Sequence, residues 1–241
     1  MPAFRAFVRP ADDDRIAGTA KDLCHVLTFH ACPKLNQRRF AAWRSGDTDG
    51  MNELKEKRIA VVVGDGFEES ELLEPTKALR DAGARVDIIS PKSEPIQAFK
   101  HHQPTIKVDV DATLDNARPE EYDGLLLPGG ALNADGLRTD PKVQQFVKQM
   151  DSQGKPMAVI CHAPWVLVSA GLAEGRTLTS WPTITDDLRN AGAQWVDREV
   201  VVDRNLVTSR GPKDLPAFNE QMMTLFAHAK GSGVVDASSR L

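Results

Sequence analysis

From Lys57 onward, short apolar runs rich in β-branched residues alternate with longer stretches of helical period, and this alternation limits the fold more than any other feature. Arg58 to Val63 is followed by the turn residues Gly64-Asp65-Gly66. Glu69 to Ala82 then carries Leu72, Leu73 and Leu79 at helical spacing, and Arg85 to Ser90 is apolar again, which makes a βαβ unit. Ile106 to Val110 alternates as a half-buried strand does, and Gly124 to Leu127 is closed by Pro128-Gly129-Gly130. Asp140 and Pro141 suit the N-cap and first turn of a helix reaching Met150. A strand at Pro156 to Ile160 follows, then a helix from Pro164 to Ala170, an extended piece at Thr177 to Thr179 and a helix near Ile184 to Ala191. A hairpin turns at Asp203-Arg204-Asn205 between Glu199 to Val202 and Leu206 to Ser209. An amphipathic helix from Leu215 to about Ala229 comes last. The pattern predicts an α/β fold with a mostly parallel sheet and helices on both faces.

Composition narrows the function. Of 241 residues 41% are hydrophobic and 27% charged, the balance of a globular domain. With 30 Lys+Arg against 34 Asp+Glu the net charge is −4, so no general polyanion surface and no nucleic-acid partner is expected. The longest apolar runs fall far short of the roughly 20 residues of a membrane span, so no membrane role is expected either. Three cysteines cannot form a disulfide framework, which points to a reducing compartment, the cytoplasm. Residues 1–50 lack a sustained period and hold 8 Lys+Arg against 6 Asp+Glu, whereas the remainder holds 22 against 28. They are expected to be a disordered leader or an over-long gene start, with the folded domain at 51–241.

In an open α/β sheet the reactive groups gather at the carboxyl ends of the strands. Cys161 stands where the run MAVI turns into a helix opened by Pro164. Unpaired N–H groups and the helix dipole there favour a thiolate, and a strand-turn-helix elbow can expose its central side chain. Cys161 is therefore a candidate nucleophile, against the plain alternative of a small buried hydrophobe. His162 can reach the same cleft. Gly129-Gly130 offers a backbone corner whose N–H groups, with that of His162, could face a developing oxyanion. Glu68, just past the first strand, could point at Cys161; desolvation would raise its pKa and let a protonated carboxyl bond the thiolate. Two other patterns fail. Gly64-Asp65-Gly66-Phe67-Glu68-Glu69 lacks the third glycine of a dinucleotide fingerprint, and Cys24, His25, His30 and Cys32 match no structural zinc spacing, so neither cofactor nor metal is expected. Trp165 and Trp181 read as packing residues, Trp165 also narrowing the cleft mouth.

Four segments carry a resemblance: Gly66-Phe67-Glu68-Glu69-x-Glu71-Leu72, Leu127-Pro128-Gly129-Gly130, Ala158-Val159-Ile160-Cys161-His162-x-Pro164, and Asp197-x-Glu199 through Asp203. Together they resemble the PfpI family of the DJ-1/PfpI superfamily from about Lys57 to Phe226. The resemblance implies a flavodoxin-like three-layer sandwich related to class I amidotransferase glutaminase domains. It also implies a Cys161 nucleophile held by Glu68, His162 as catalytic partner, and oxyanion donors at Gly130 and His162. In the PfpI proteases an acid from a neighbouring subunit completes the triad; allowing one inserted residue, its counterpart here is Asp135, and a homo-oligomer follows. Ala163 replaces the usual glycine after Cys-His and Trp165 a common polar residue, which leaves the nucleophile in place and alters the cleft.

Three functions compete. The first is a cysteine-dependent hydrolase of the protease or deglycase-glyoxalase type, with a role in stress and a small carbonyl compound or peptide as substrate. The second is a redox sensor or chaperone that uses an oxidisable Cys161. The third, a glutaminase, needs a His-x-Glu pair downstream, whereas His228 is followed by Ala229-Lys230.

Overall fold

The computed structural model describes residues 53–229. The expected leader at 1–50 and the Cys24, His25, His30 and Cys32 group lie outside them. The first βαβ unit forms as the periodicity predicts. Strand β1 (Arg58–Val62) leads through a two-residue strand β2 (Phe67–Glu68) into α1 (Glu69–Asp81), and the chain returns in β3 (Arg85–Ser90). A hairpin of β4 (Ile96–Lys100) and β5 (Gln103–Val108) follows, then β6 (Ala112–Thr113), β7 (Gly124–Leu127), α2 (Ala131–Arg138), α3 (Pro141–Ser152) and β8 (Met157–Ile160). The remainder comprises α4 (Pro164–Ser169), β9 (Thr177–Leu178), α5 (Thr185–Asn190), β10 (Gln194–Trp195), the hairpin of β11 (Val200–Asp203) and β12 (Leu206–Ser209), and α6 (Leu215–His228). Asp140 caps α3 as expected, its side chain accepting from the Lys142 N–H at 2.8 Å, with Pro141 in the first turn.

Seven strands make the central sheet in the order β11-β12-β8-β7-β1-β3-β6. Every pairing in it is parallel except that of β11 with β12, the hairpin whose turn residue Arg204 takes a positive φ of 57°. Alternation along each strand sorts the apolar side chains onto two faces. Ile59 and Val61 of β1, Leu126 of β7, Ala158 and Ile160 of β8 and Val207 of β12 pack with Leu72 and Leu79 of α1 and with Phe218, Met222 and Phe226 of α6. Their neighbours Ala60, Val62, Leu125, Leu127, Met157 and Val159 face the other way, onto Phe146, Val147 and Met150 of α3 and Val166 and Leu167 of α4. The molecule is thus a three-layer, flavodoxin-like α/β sandwich. Burying each large apolar side chain on either face contributes about 1.5–3 kcal/mol.

One expectation shifts. The strand read at Ile106 to Val110 lies three residues earlier at its start, in β5, and joins β4 and β2 in a separate three-stranded sheet instead of the central one. Its side chains are almost all exposed, so its alternation reflects an edge hairpin and not a half-buried strand. The residues after the diglycine form the helix α2, with Asn133, Ala134 and Leu137 buried. No helix among the described residues is long and apolar enough to cross a membrane.

From β1 the chain builds outward to β3 and β6, and later returns on the opposite side with β7, β8 and β12. The order reverses between β1 and β7, so a crevice opens past the carboxyl ends of these strands. The segments leaving β1, β7 and β8 there carry Glu71, Gly129-Gly130 and Cys161-His162.

Candidate active site

The elbow after β8 is built to hold a strained residue. Cys161 has a φ of 62°, a left-handed conformation that costs a non-glycine residue on the order of 1–2 kcal/mol. Bonds on every side over-determine it. Its N–H donates to the Ser209 carbonyl at 3.0 Å and its carbonyl accepts from the Trp181 N–H at 2.8 Å, while the Ala163 N–H closes the turn on the Ile160 carbonyl at 3.0 Å. Pro164 then starts α4. The side chain is turned off the strand into the crevice, where it is 5% exposed.

Three residues meet the sulfur. The backbone N–H groups of Gly130 and His162 point at it, and the His162 Nδ1 lies 3.2 Å away. Glu71 supplies the third. Its Oε2 accepts from the Gly129 N–H at 2.9 Å, and its carboxyl meets the thiol. Oε1 is buried without a hydrogen-bond partner. Gly130 must be glycine: its φ is 89°, and a Cβ there would overlap the Gly66 carbonyl and come within 2.8 Å of the Glu68 nitrogen.

Electrostatics follow from the depth of the pocket. Burial raises the Glu71 pKa to about 8, with the Glu68 charge adding to the rise and the thiol and the Gly129 N–H opposing it. Burial also pushes the Cys161 thiol well up, and the Glu71 charge pushes it further, while the Gly130 and His162 amides pull it down. The expectation of a thiolate preformed by a helix dipole is therefore corrected. Helix α4 has only six residues, and desolvation outweighs what its N-terminus offers. Burial lowers the His162 pKa, so the ring favours its neutral form, able to take a proton from the thiol.

The model of the DJ-1/PfpI family matches residues 57–225, a span that holds the Cys161 elbow, the diglycine and Glu71. The chain belongs to the DJ-1/PfpI family. General stress protein 18 of Bacillus subtilis is 43% identical to it over 170 residues, 70% of this chain and 97% of that one. Protein/nucleic acid deglycase 2 of Escherichia coli is 42% identical over the same extent. The crystal structure of DJ-1beta from Drosophila melanogaster superimposes with a TM-score of 0.65 at 30% identity, over 71% of this chain and 90% of that one.

Within this DJ-1/PfpI chain the expected site residues separate. Cys161, His162 and Gly130 converge. Glu68 does not reach the sulfur: its Oε2 accepts from the His101 N–H at 2.9 Å, on the exposed rim. The reason is strand alternation, because Phe67 turns into the core and Glu68, its neighbour in β2, turns away. Glu71 takes the place expected for Glu68. A signal for it exists in the sequence, since Glu71 falls on the buried stripe of α1 with Leu72, Pro75, Thr76 and Leu79. Asp135 is exposed on α2, and among the described residues no carboxylate hydrogen-bonds His162. Trp165 and Trp181 do more than pack. They flank the His162 ring, Trp181 stacked at 5.9 Å and Trp165 tilted at 5.6 Å between centroids. No group of His, Cys, Asp or Glu among the described residues is arranged to hold a metal.

Proposed function

We propose that the protein is a cysteine-dependent hydrolase of the deglycase and protease type, acting in the stress response, with Cys161 as nucleophile. The observation that carries this reading is the strained elbow, which aims one sulfur at a neutral imidazole, two backbone N–H groups and a buried carboxyl at once. The names of the relatives, a deglycase and a general stress protein, support it.

The chemistry runs by general-base attack instead of through a resident thiolate. His162 Nδ1 takes the thiol proton as the sulfur bonds to an electrophilic carbon, and the carbonyl electron pair moves onto oxygen within reach of the Gly130 and His162 N–H groups. At neutral pH the Glu71 carboxyl is mostly protonated, and its O–H can bond the sulfur as charge builds there. With an acyl substrate, collapse of the adduct breaks the bond to the amine, which leaves with the proton from His162. Water then gives a proton to His162 and attacks the thioester, the C–S bond breaks and the sulfur regains its hydrogen. An aldehyde carbon, as in methylglyoxal, would give a hemithioacetal by the same attack. Small carbonyl compounds, their adducts on proteins, and short peptides are the substrate class, and a reducing cytoplasm the setting that keeps Cys161 usable. In this reading a second copy of the chain would bring Asp135 to the site. Methylglyoxal consumption and fluorogenic-peptide cleavage by the full chain, measured against Cys161→Ser, test the reading. Equal background rates for the two proteins would end it.

A further inference from the structure

A planar trans peptide points its carbonyl and its N–H in opposite directions, so fixing the one aims the other. Two such groups matter at the corner after β7. The N–H of Gly129 serves the Glu71 carboxyl at 2.9 Å, and that of Gly130 points at the Cys161 sulfur. The second of these peptides lies between two glycines, where backbone rotation meets the least resistance, so the corner's own residues do not hold it in place.

One side-chain amide does. Asn133 Nδ2 donates to the Pro128 carbonyl at 2.9 Å and to the Gly129 carbonyl at 3.0 Å, the far ends of those same two peptides. Its Oδ1 accepts from the Gly64 N–H at 2.7 Å, just past β1. An N–H can only donate and a carbonyl can only accept, so the amide fits this corner in one orientation alone. The side chain is buried, and bulk water does not compete for the carbonyls. The Glu68 N–H also reaches the Gly129 carbonyl, but at a long 3.4 Å. Asn133 stands on the inward side of α2 and Asp135 on its exposed side, so the contact belongs to one chain whatever docks on that helix.

Resting on the hydrolase reading, we propose that Asn133 is a positioning residue for the oxyanion site: by holding the Pro128 and Gly129 carbonyls it turns the Gly129 N–H onto Glu71 and the Gly130 N–H onto the reacting centre at Cys161. It touches neither substrate nor sulfur and acts through the backbone. Without the amide the two carbonyls lose this donor, and the Gly129–Gly130 peptide is free to rotate toward another, which takes the Gly130 N–H off the sulfur.

The test is the pH profile of Cys161 alkylation by iodoacetamide in the full chain, read at the Cys161 peptide by mass spectrometry, which needs no substrate. Asn133→Leu should move the midpoint upward by about one to two pH units, the worth of one hydrogen bond to a charged atom, because the Gly130 N–H no longer supports the thiolate. Asn133→Ser, with its shorter side chain, should move it the same way. Glu71 and His162, the titratable side chains facing the sulfur, are present in both variants. On methylglyoxal or a fluorogenic peptide both should lower kcat by about 10- to 100-fold with KM held, since the donor acts on charge that builds in the transition state. A folded variant with an unmoved profile overturns the proposal, as does a loss that falls on KM alone. If Asn133→Leu fails to fold by circular dichroism, Asn133→Ser decides, and failure of both overturns the proposal in favour of a purely structural residue. Absence of turnover in the wild type would strike the hydrolase reading and leave the alkylation profile to decide on Asn133.

Discussion

Glu71 and Cys161 both crowd the space where one glycine, Gly129, would carry a Cβ. A Cβ on Gly129 would overlap Glu71 Oε2 and sit 2.5 Å from Cys161 Cβ, so carboxyl and thiol can share a buried pocket only because that residue has no side chain. The Gly129 N–H then holds Oε2, while the carboxyl meets the thiol. Glu71 itself is fully buried.

Activity should follow this pairing. Glu71→Leu removes the carboxyl at the sulfur and is expected to lower kcat by about 10- to 100-fold, the worth of one hydrogen bond to a charged atom. Glu71→Gln keeps an N–H donor of similar shape and should fall between Leu and wild type. Glu68→Gln, whose carboxyl serves the His101 N–H on the rim, should change kcat by less than about threefold. Steady-state kinetics on the three variants check the order, and a Glu68 variant worse than either Glu71 variant would contradict it.

Stability should depend on the same carboxyl. Its pKa rises from 4.5 to about 8 on folding, so between those values the folded state binds a proton that the unfolded state has released. Stability therefore falls as pH rises through this window, by up to about 5 kcal/mol for a shift of this size. Glu71→Gln should flatten the decline. Thermal melts of wild type and variant from pH 4.5 to 8.5 measure it, and parallel curves would show that Glu71 is not the group responsible.

The elbow gives a test of backbone strain. In most places glycine is less stable than alanine, but Cys161 sits at a φ of 62°. Cys161→Gly should therefore be at least as stable as Cys161→Ala, with relief of about 1 kcal/mol offsetting the entropy of glycine. Chemical denaturation of both inactive variants gives the comparison, and a clear advantage for alanine would mean that the elbow relaxes.

Two glycines six residues apart should respond in opposite directions. Gly130→Ala places a Cβ into the Gly66 carbonyl at a φ of 89° and is expected to cost about 2–4 kcal/mol along with activity. Gly136 lies in α2 with nothing within 4 Å of a Cβ, and Gly136→Ala should add about 0.5–1 kcal/mol. Urea unfolding of each variant decides the matter.

The sequence by itself determined the layers and the place of the chemistry. Runs such as Arg58–Val62 and Met157–Ile160 are short and β-branched or fully apolar, the helices between them have their own period, and parallel strands so connected must lie between two helical layers. An elbow residue followed by Pro164, and a diglycine after a strand, are local signals, which is why Cys161, His162 and Gly130 could be named without coordinates. Tertiary structure alone decided which carboxyl reaches the sulfur and in what state the thiol rests. Glu68 and Glu71 are three residues apart and chemically alike; choosing between them depends on where β2 ends and α1 begins, a boundary that contacts with β4 and the crevice set. Likewise the thiol's protonation is a balance of desolvation, the Glu71 charge and two amides, gathered from the ends of three strands, and burial of that kind has no counterpart in the order of residues along a chain.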